Sequence, residues 1–212
     1  QGIILTEKDI AFRCNLVTLR DGLMASFTAG HISTEEAAQL IEALNQVTTG
    51  LPVKFHTGVS YRHLTIVRTG TLTAQDLLST ECTPPHDITD KPYAPHLPSG
   101  PAAEFLMEVT KRCQCTLANH PTNQARLAAG KPPANSIWLW GQGRSPTMQT
   151  YTERFGLTGA VISAVNLVNG IGICAGLEVI HCPGATGYLD TDYAGKVRAA
   201  LAALERPAFV YL

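Results

Sequence analysis

The sequence predicts an α/β protein in two parts. Residues 1–133 read as an α+β layer of hairpins and helices, and residues 134–212 as part of a doubly wound, mainly parallel sheet. Three observations lead there. Early in the chain, alternating β-branched runs come in pairs joined by turn signals, the pattern of hairpins. Pro132 and Pro133 then punctuate the chain. Beyond them, short apolar strands alternate with helical patterns, as in βαβ units whose sheet is buried on both faces.

Residues 10–19 read as a strand, Arg20, Asp21 and Gly22 as a turn, and residues 23–27 as the antiparallel return. Ala29, Gly30 and His31 form a loop. Ser33 stands as an N-cap with Glu36 three residues on, a capping box, and Ala37, Leu40, Ile41 and Leu44 follow at helical spacing to about Val47. Residues 53–56 pair with a strand that closes at Val67, with Gly58 as the turn glycine. Thr73 caps a short helix through Leu78. Residues 81–101 form a proline-rich loop, and ordered loops of that length are often functional. Residues 102–118 make a helix with Phe105, Leu106, Val109 and Cys113 on one face, and residues 120–130 hold a further short one. In the second part, residues 136–140, 159–165, 177–182 and 209–212 read as strands. Residues 166–175 and 192–204 read as the helices between them, joined by right-handed crossovers, with Asp192 as an N-cap. Ligands of such sheets sit beyond the carboxyl ends of the strands, here at residues 141–143, Asn166 and residues 183–187.

Composition excludes several classes. The chain has 212 residues, enough to bury a substantial core. Charged residues are 16%, the formal net charge is −1 and no basic stripe is present, so nucleic acid is not an expected partner. No apolar run has transmembrane length, since the longest region, residues 159–177, is broken by asparagines and glycines. No signal peptide is visible, and no membrane association is expected. The six cysteines, Cys14, Cys82, Cys113, Cys115, Cys174 and Cys182, show no zinc spacing, which suits a reduced, cytoplasmic protein. The chain begins at Gln1 and runs out in an apolar stretch at residues 208–212, and a piece of a longer protein is expected.

The chemistry concentrates in two segments. In GVSYRH (58–63), Arg62 and His63 are neighbours on a strand, so they point to opposite faces. In TPPHD (83–87), two prolines stiffen the loop that carries His86 and Asp87. An arginine with histidines on stiff supports suits an anion, because a guanidinium meets phosphate or carboxylate with two donors. The plainer alternative is that these side chains are surface or hydrogen-bonded filler. PGATG (183–187) lacks the lysine and length of a P-loop and reads as a tight turn. Gly170 and Gly172 suit close helix packing. The seven histidines form no HExxH-type pair, a metal at His86 and Asp87 has little support, and no serine sits on a nucleophile elbow. The residues alone indicate an anion-binding piece of an α/β enzyme.

A family resemblance runs along nearly the whole chain. DIAFRCN (9–15), AGHISTEE (29–36), GVSYRH (58–63), TPPHD (83–87), NSIWLWGQG (135–143), GAVISAV (159–165) and PGATGYLD (183–190) occur in order. Together they resemble the archaeal-type 2,3-bisphosphoglycerate-independent phosphoglycerate mutases of the alkaline phosphatase superfamily. The resemblance implies an inserted substrate-binding lid at residues 1–133 and an alkaline-phosphatase-like core, cut before its metal-binding segment, at residues 134–212. It implies interconversion of 3-phosphoglycerate and 2-phosphoglycerate through a phospho-enzyme, in glycolysis and gluconeogenesis. Two divalent metals (manganese, zinc, cobalt or magnesium) would be needed, and 2,3-bisphosphoglycerate would not. By the matched segments, Arg13, Asn15, Arg62, His63, His86, Asp87 and Gln142 are expected at the substrate. No catalytic nucleophile and no metal ligand carries over, so residues 1–212 alone are expected to be inactive. The family often has Asp and Lys where this chain has Asn166 and Asn169, and NYEGK where it has DYAGK (192–196). A phosphotransferase acting on another small hydroxy compound, such as homoserine, or a non-catalytic lid or interaction domain, are the alternatives.

Overall fold

The computed structural model describes residues 3–187, 189–206 and 208–212. They form two compact units, Gln1–Ser145 and Pro146–Leu212.

The first unit is built on β1 (Asp9–Arg20), a long central strand. β2 (Leu23–Ser26) returns from it through Asp21 and Gly22 and pairs with its last residues. β3 (Val53–Val59) and β4 (Arg62–Arg68) form a hairpin, and β5 (Ser136–Gly143) comes late in the unit. β4 and β5 both pair antiparallel with β1 along residues 11–15, so they flank it and give the order β3-β4-β1-β5. Ile10, Phe12, Cys14 and Leu16, alternate residues of β1, are fully buried. They pack with Leu40 and Leu44 of α1 (Thr34–Val47) and with Leu106, Val109 and Cys113 of α3 (Ala103–Ala118). Each large apolar side chain buried there contributes about 1.5–3 kcal/mol, which fixes this face of the sheet as the inner one.

Local chemistry starts the helices where expected. Glu36 N–H donates to Ser33 Oγ at 3.2 Å, while Ser33 N–H donates to the Glu36 carboxylate, the reciprocal capping box of α1. Thr73 and Asp76 do the same for α2 (Ala74–Ser79). α4 (Pro121–Ala128) opens with proline at its first position, where a missing N–H costs nothing. The proline-rich loop is ordered by two 3-10 turns, Pro85–Ile88 and Ala94–His96. Paired Glu81 and Ser99 backbones close it, and the Trp138 indole N–H holds it by donating to Thr83 O at 2.8 Å.

Two expectations about this unit are corrected. β5, expected to open the parallel sheet, is an antiparallel partner of β1 and falls within the compact unit Gln1–Ser145. A short apolar run is compatible with either sheet, and only its pairing partner decides. The hairpin turn lies at Ser60 and Tyr61, not at Gly58. Ser60 has the left-handed φ of +54°, and Gly58 sits within β3 at an irregularity in register between His56 and Val59.

The second unit is a small parallel sheet in the order β7-β6-β8, from β6 (Gly159–Val161), β7 (Glu178–Val179) and β8 (Phe209–Tyr211). α6 (Asn166–Cys174) and α7 (Tyr193–Ala203) lie between the strands in sequence, as the alternation predicted, and the Asp192 carboxylate caps α7 by accepting from Gly195 N–H. An extra short helix, α5 (Tyr151–Phe155), with a Thr150–Glu153 capping box, precedes them. Within the PGATGYLD segment, Tyr188 lies outside the described residues. No described helix is long and apolar enough to cross a membrane.

Candidate functional site

Strand register sorts the expected site residues onto two faces. Directly opposed residues of antiparallel strands share a face. Asn15 is opposed by Arg62 on β4 and Trp138 on β5, and Arg13 by Leu64 and Trp140. Arg13, Asn15, Arg62, Trp138 and Trp140 therefore share the face away from α1 and α3. Cys14 is opposed by His63, which puts His63 on the inner face.

The outer face is a chain of rings and cations. The Arg13 guanidinium lies over the Trp140 ring, 4.5 Å from its centroid. The His86 ring meets Trp140 edge-on at 5.3 Å and Phe27 at 6.2 Å. Phe27 meets Tyr61 at 5.9 Å, Tyr61 meets His31 at 6.2 Å, and the Arg62 guanidinium stands 5.6 Å from the Tyr61 ring. Among the described residues neither arginine is paired with a carboxylate, which leaves donors for a ligand. His86 and Asp87 reach this face from the stiffened loop, with His86 Nε2 and Asp87 Oδ1 3.6 Å apart. Lys91 Nζ donates to the backbone carbonyl of Asp87. The face is open. Neither of two cavities in this unit, of about 300 Å³ and about 350 Å³, includes Arg13, Arg62 or His86.

Asn15 acts from behind this surface. It is 5% exposed, its amide donates to Phe27 O at 3.0 Å, and its Oδ1 accepts from the Trp140 indole N–H at 3.1 Å. Both ends of the carboxamide are used, so Asn15 fixes the ring that carries Arg13 and His86. Gly141 is the matching backbone device. It has φ +59° beside the register irregularity between Ala11 and Arg13, and a Cβ there would lie 3.1 Å from Arg13 Cδ, so its bareness lets Arg13 lie flat on the tryptophan.

Two expected residues stand apart. His63 is 5% exposed, and burial pushes its imidazole down to about pKa 4, so it is neutral at physiological pH. Its Nδ1 accepts from Gly58 N–H at 3.0 Å, which closes the irregular end of the β3–β4 hairpin, while Nε2 is buried without a partner. Gln142 donates its amide to Thr80 O, tying the end of β5 to the end of α2. The sequence reading missed Phe27, His31, Tyr61 and Trp140. Trp140 was visible as the alternate partner of Trp138, but β5 had been assigned to the other sheet.

The metals that the resemblance implies do not fit this set. Among the described residues no group of three or more His, Cys, Asp or Glu side chains is placed to hold a metal ion.

Comparisons with known proteins agree with one another. A family model described as 2,3-bisphosphoglycerate-independent phosphoglycerate mutase matches residues 1–123. A protein of that name from Methanothrix thermoacetophila is 50% identical over 210 residues, covering 99% of this chain and 51% of its own length. A probable 2,3-bisphosphoglycerate-independent phosphoglycerate mutase from Geobacter sulfurreducens is 51% identical over 215 residues, with 100% and 52% covered. This chain thus spans about half the length of the curated relatives it matches. Among solved structures, the PH0037 protein from Pyrococcus horikoshii aligns with a TM-score of 0.72 at 26% identity, over 100% of this chain and 48% of that one. The cofactor-independent phosphoglycerate mutase from Thermoplasma acidophilum aligns at 0.59 and 23% identity over 96% of this chain and 53% of its own, a likeness of fold.

Proposed function

Because this chain belongs to the 2,3-bisphosphoglycerate-independent phosphoglycerate mutase family, we propose that the full-length protein interconverts 3-phosphoglycerate and 2-phosphoglycerate, and that the outer face of the first unit grips the substrate. The observation that carries this reading is the placement of Arg13, Arg62 and His86 on one open face, with both guanidiniums outside the ion pairs among the described residues. Arg13 and Arg62 are diagonal neighbours across the β1–β4 ladder, about 7–8 Å apart at the backbone. The substrate carries a carboxylate at one end of three carbons and a phosphate at or next to the other. Two guanidinium forks on one face, Arg13 over Trp140 and Arg62 over Tyr61, offer each anion its own pair of donors.

The role of this face is positioning. The reaction moves a phosphoryl group between adjacent hydroxyls of one molecule, so the glycerate must stay bound while the group is off it. An anion grip that leaves the hydroxyls clear does that, and an open face that closes against the reacting centre also excludes water. His86, stiffened by Pro84 and Pro85 and braced against Trp140, supplies a further donor to an oxyanion. Asn15 holds Trp140 in place, and His63 and Gln142 hold the sheet. The nucleophile and the two divalent metals that family membership implies belong to parts of the protein outside residues 1–212. This chain by itself does not turn over.

The test is an assay of the full-length protein with manganese and 3-phosphoglycerate and no added bisphosphoglycerate. Formation of 2-phosphoglycerate is expected. Its absence from folded, metal-loaded protein, together with phosphorylation of homoserine from ATP, would overturn the reading in favour of another phosphoryl acceptor.

A further inference from the structure

The segment from Ala29 to His31 is backbone-strained. Three consecutive residues are left-handed, Ala29 at φ +47°, Gly30 at +63° and His31 at +53°. Glycine adopts that conformation freely, whereas alanine and histidine are held there against their preference. The surroundings that hold them are unusually complete. Arg126, 3% exposed, donates to Ala29 O and to Pro132 O, and its guanidinium pairs with the Glu36 carboxylate of the α1 capping box. The Ser26 hydroxyl accepts from Gly30 N–H, and the Thr28 hydroxyl accepts from His31 N–H. A Cβ at Gly30 would come within 2.9 Å of the Pro132 ring, so the segment is pressed against the chain that leads into β5.

The residues that follow this segment, Ile32 and Thr34, are tied to the turn that presents Arg62. Ser60, itself left-handed, donates its hydroxyl to Ile32 O at 2.6 Å, and its N–H donates to Thr34 Oγ1 at 3.0 Å. The His31 ring meets the Tyr61 ring, and that ring also carries the Arg62 guanidinium. His31 is exposed, and its imidazole makes this ring contact among the described residues. Strained residues that their neighbours over-determine cluster at functional sites.

We propose that His31 is a further substrate-binding residue, whose imidazole donates to the anion gripped by Arg62, and that the left-handed segment exists to aim it. This rests on the reading of the outer face as the substrate grip. The distinguishing mark is the combination: His31 is held at a positive φ with its side chain exposed, and its ring meets the Tyr61 ring that carries the Arg62 guanidinium.

The experiment uses the full-length protein and compares His31→Gly, His31→Asn and Arg62→Ala by melting temperature and by kcat/KM for 3-phosphoglycerate. His31→Gly is expected to melt about 2–4 °C higher as the strain is relieved, and His31→Asn no lower than the parent. Both are expected to lose about tenfold in kcat/KM, chiefly through KM, as for one lost hydrogen bond to a charged group. If Arg62→Ala is impaired while both His31 variants stay within twofold, the assignment of His31 is wrong and the grip stands. If both His31 variants melt lower in proportion to lost activity, His31 is a packing residue and the proposal fails. If Arg62→Ala is itself unimpaired, the substrate-grip reading fails and takes this one with it.

Discussion

Arg62 and His63 are bonded neighbours on one strand, yet they live in different media. Arg62 stands exposed on the outer face, its guanidinium over the Tyr61 ring and in no ion pair among the described residues. His63 is closed into the inner face opposite Cys14, neutral, holding the end of the hairpin through Gly58. The twofold period of a strand makes this contrast, and the packing of α1 and α3 decides which neighbour faces which way. A pair of polar residues adjacent in sequence is therefore a poor unit for assigning function. The unit is the face, which gathers Arg13, Arg62, Trp140 and Tyr61 from three strands and a turn.

The contrast breaks most clearly at Arg62. Arg62→Ala in the full-length protein is expected to lower kcat/KM for 3-phosphoglycerate by roughly tens- to a thousandfold, because a charged, bidentate contact to the substrate is lost. Its melting temperature should move by no more than about 2 °C, as for an exposed side chain that rests on one ring, Tyr61, and pairs with no carboxylate among the described residues. A large stability loss with intact turnover would reverse the roles of the two faces.

His63 sharpens the comparison from the other side, through pH. Its folded pKa is depressed from 6.5 to about 4 by burial, so the unfolded chain binds the proton first as pH falls. The stability contributed by the neutral imidazole is present above pH 6.5 and is lost progressively toward pH 4, up to about 3 kcal/mol. Urea unfolding from pH 7.5 to pH 4 should show this loss, and His63→Gln should remove that part of the slope. An unchanged slope in the variant would show that His63 does not titrate as a buried group.

What was legible in the sequence was what is local. The Ser33–Glu36 box, the Thr73 cap and the turn at Asp21 and Gly22 are decided within four or five residues, and all form as read. The alternation of Arg62 and His63 was legible too, but not which of them is buried, since that depends on helices far along the chain. β5 was misassigned for the same reason. SIWLW is apolar enough for either sheet, and its antiparallel pairing with β1 is a contact across more than a hundred residues. That pairing also places Trp140 beside Asn15, whose Oδ1 accepts from the Trp140 indole N–H. The left-handed turn at Ser60 was missed because Gly58 is the residue with the usual turn preference, whereas the tie from Ser60 to Ile32 and Thr34 moves the turn two residues on.

The most direct test of the two-faced sheet is a side-chain NMR titration of the full-length protein, with arginine and histidine labelled, by 3-phosphoglycerate. Saturable shifts at the Arg13 and Arg62 guanidiniums and the His86 ring, with His63 unmoved, are the expected result. A saturable shift at His63 with Arg13 and Arg62 silent would contradict the account, because it would put the substrate on the face that the structure gives to the core.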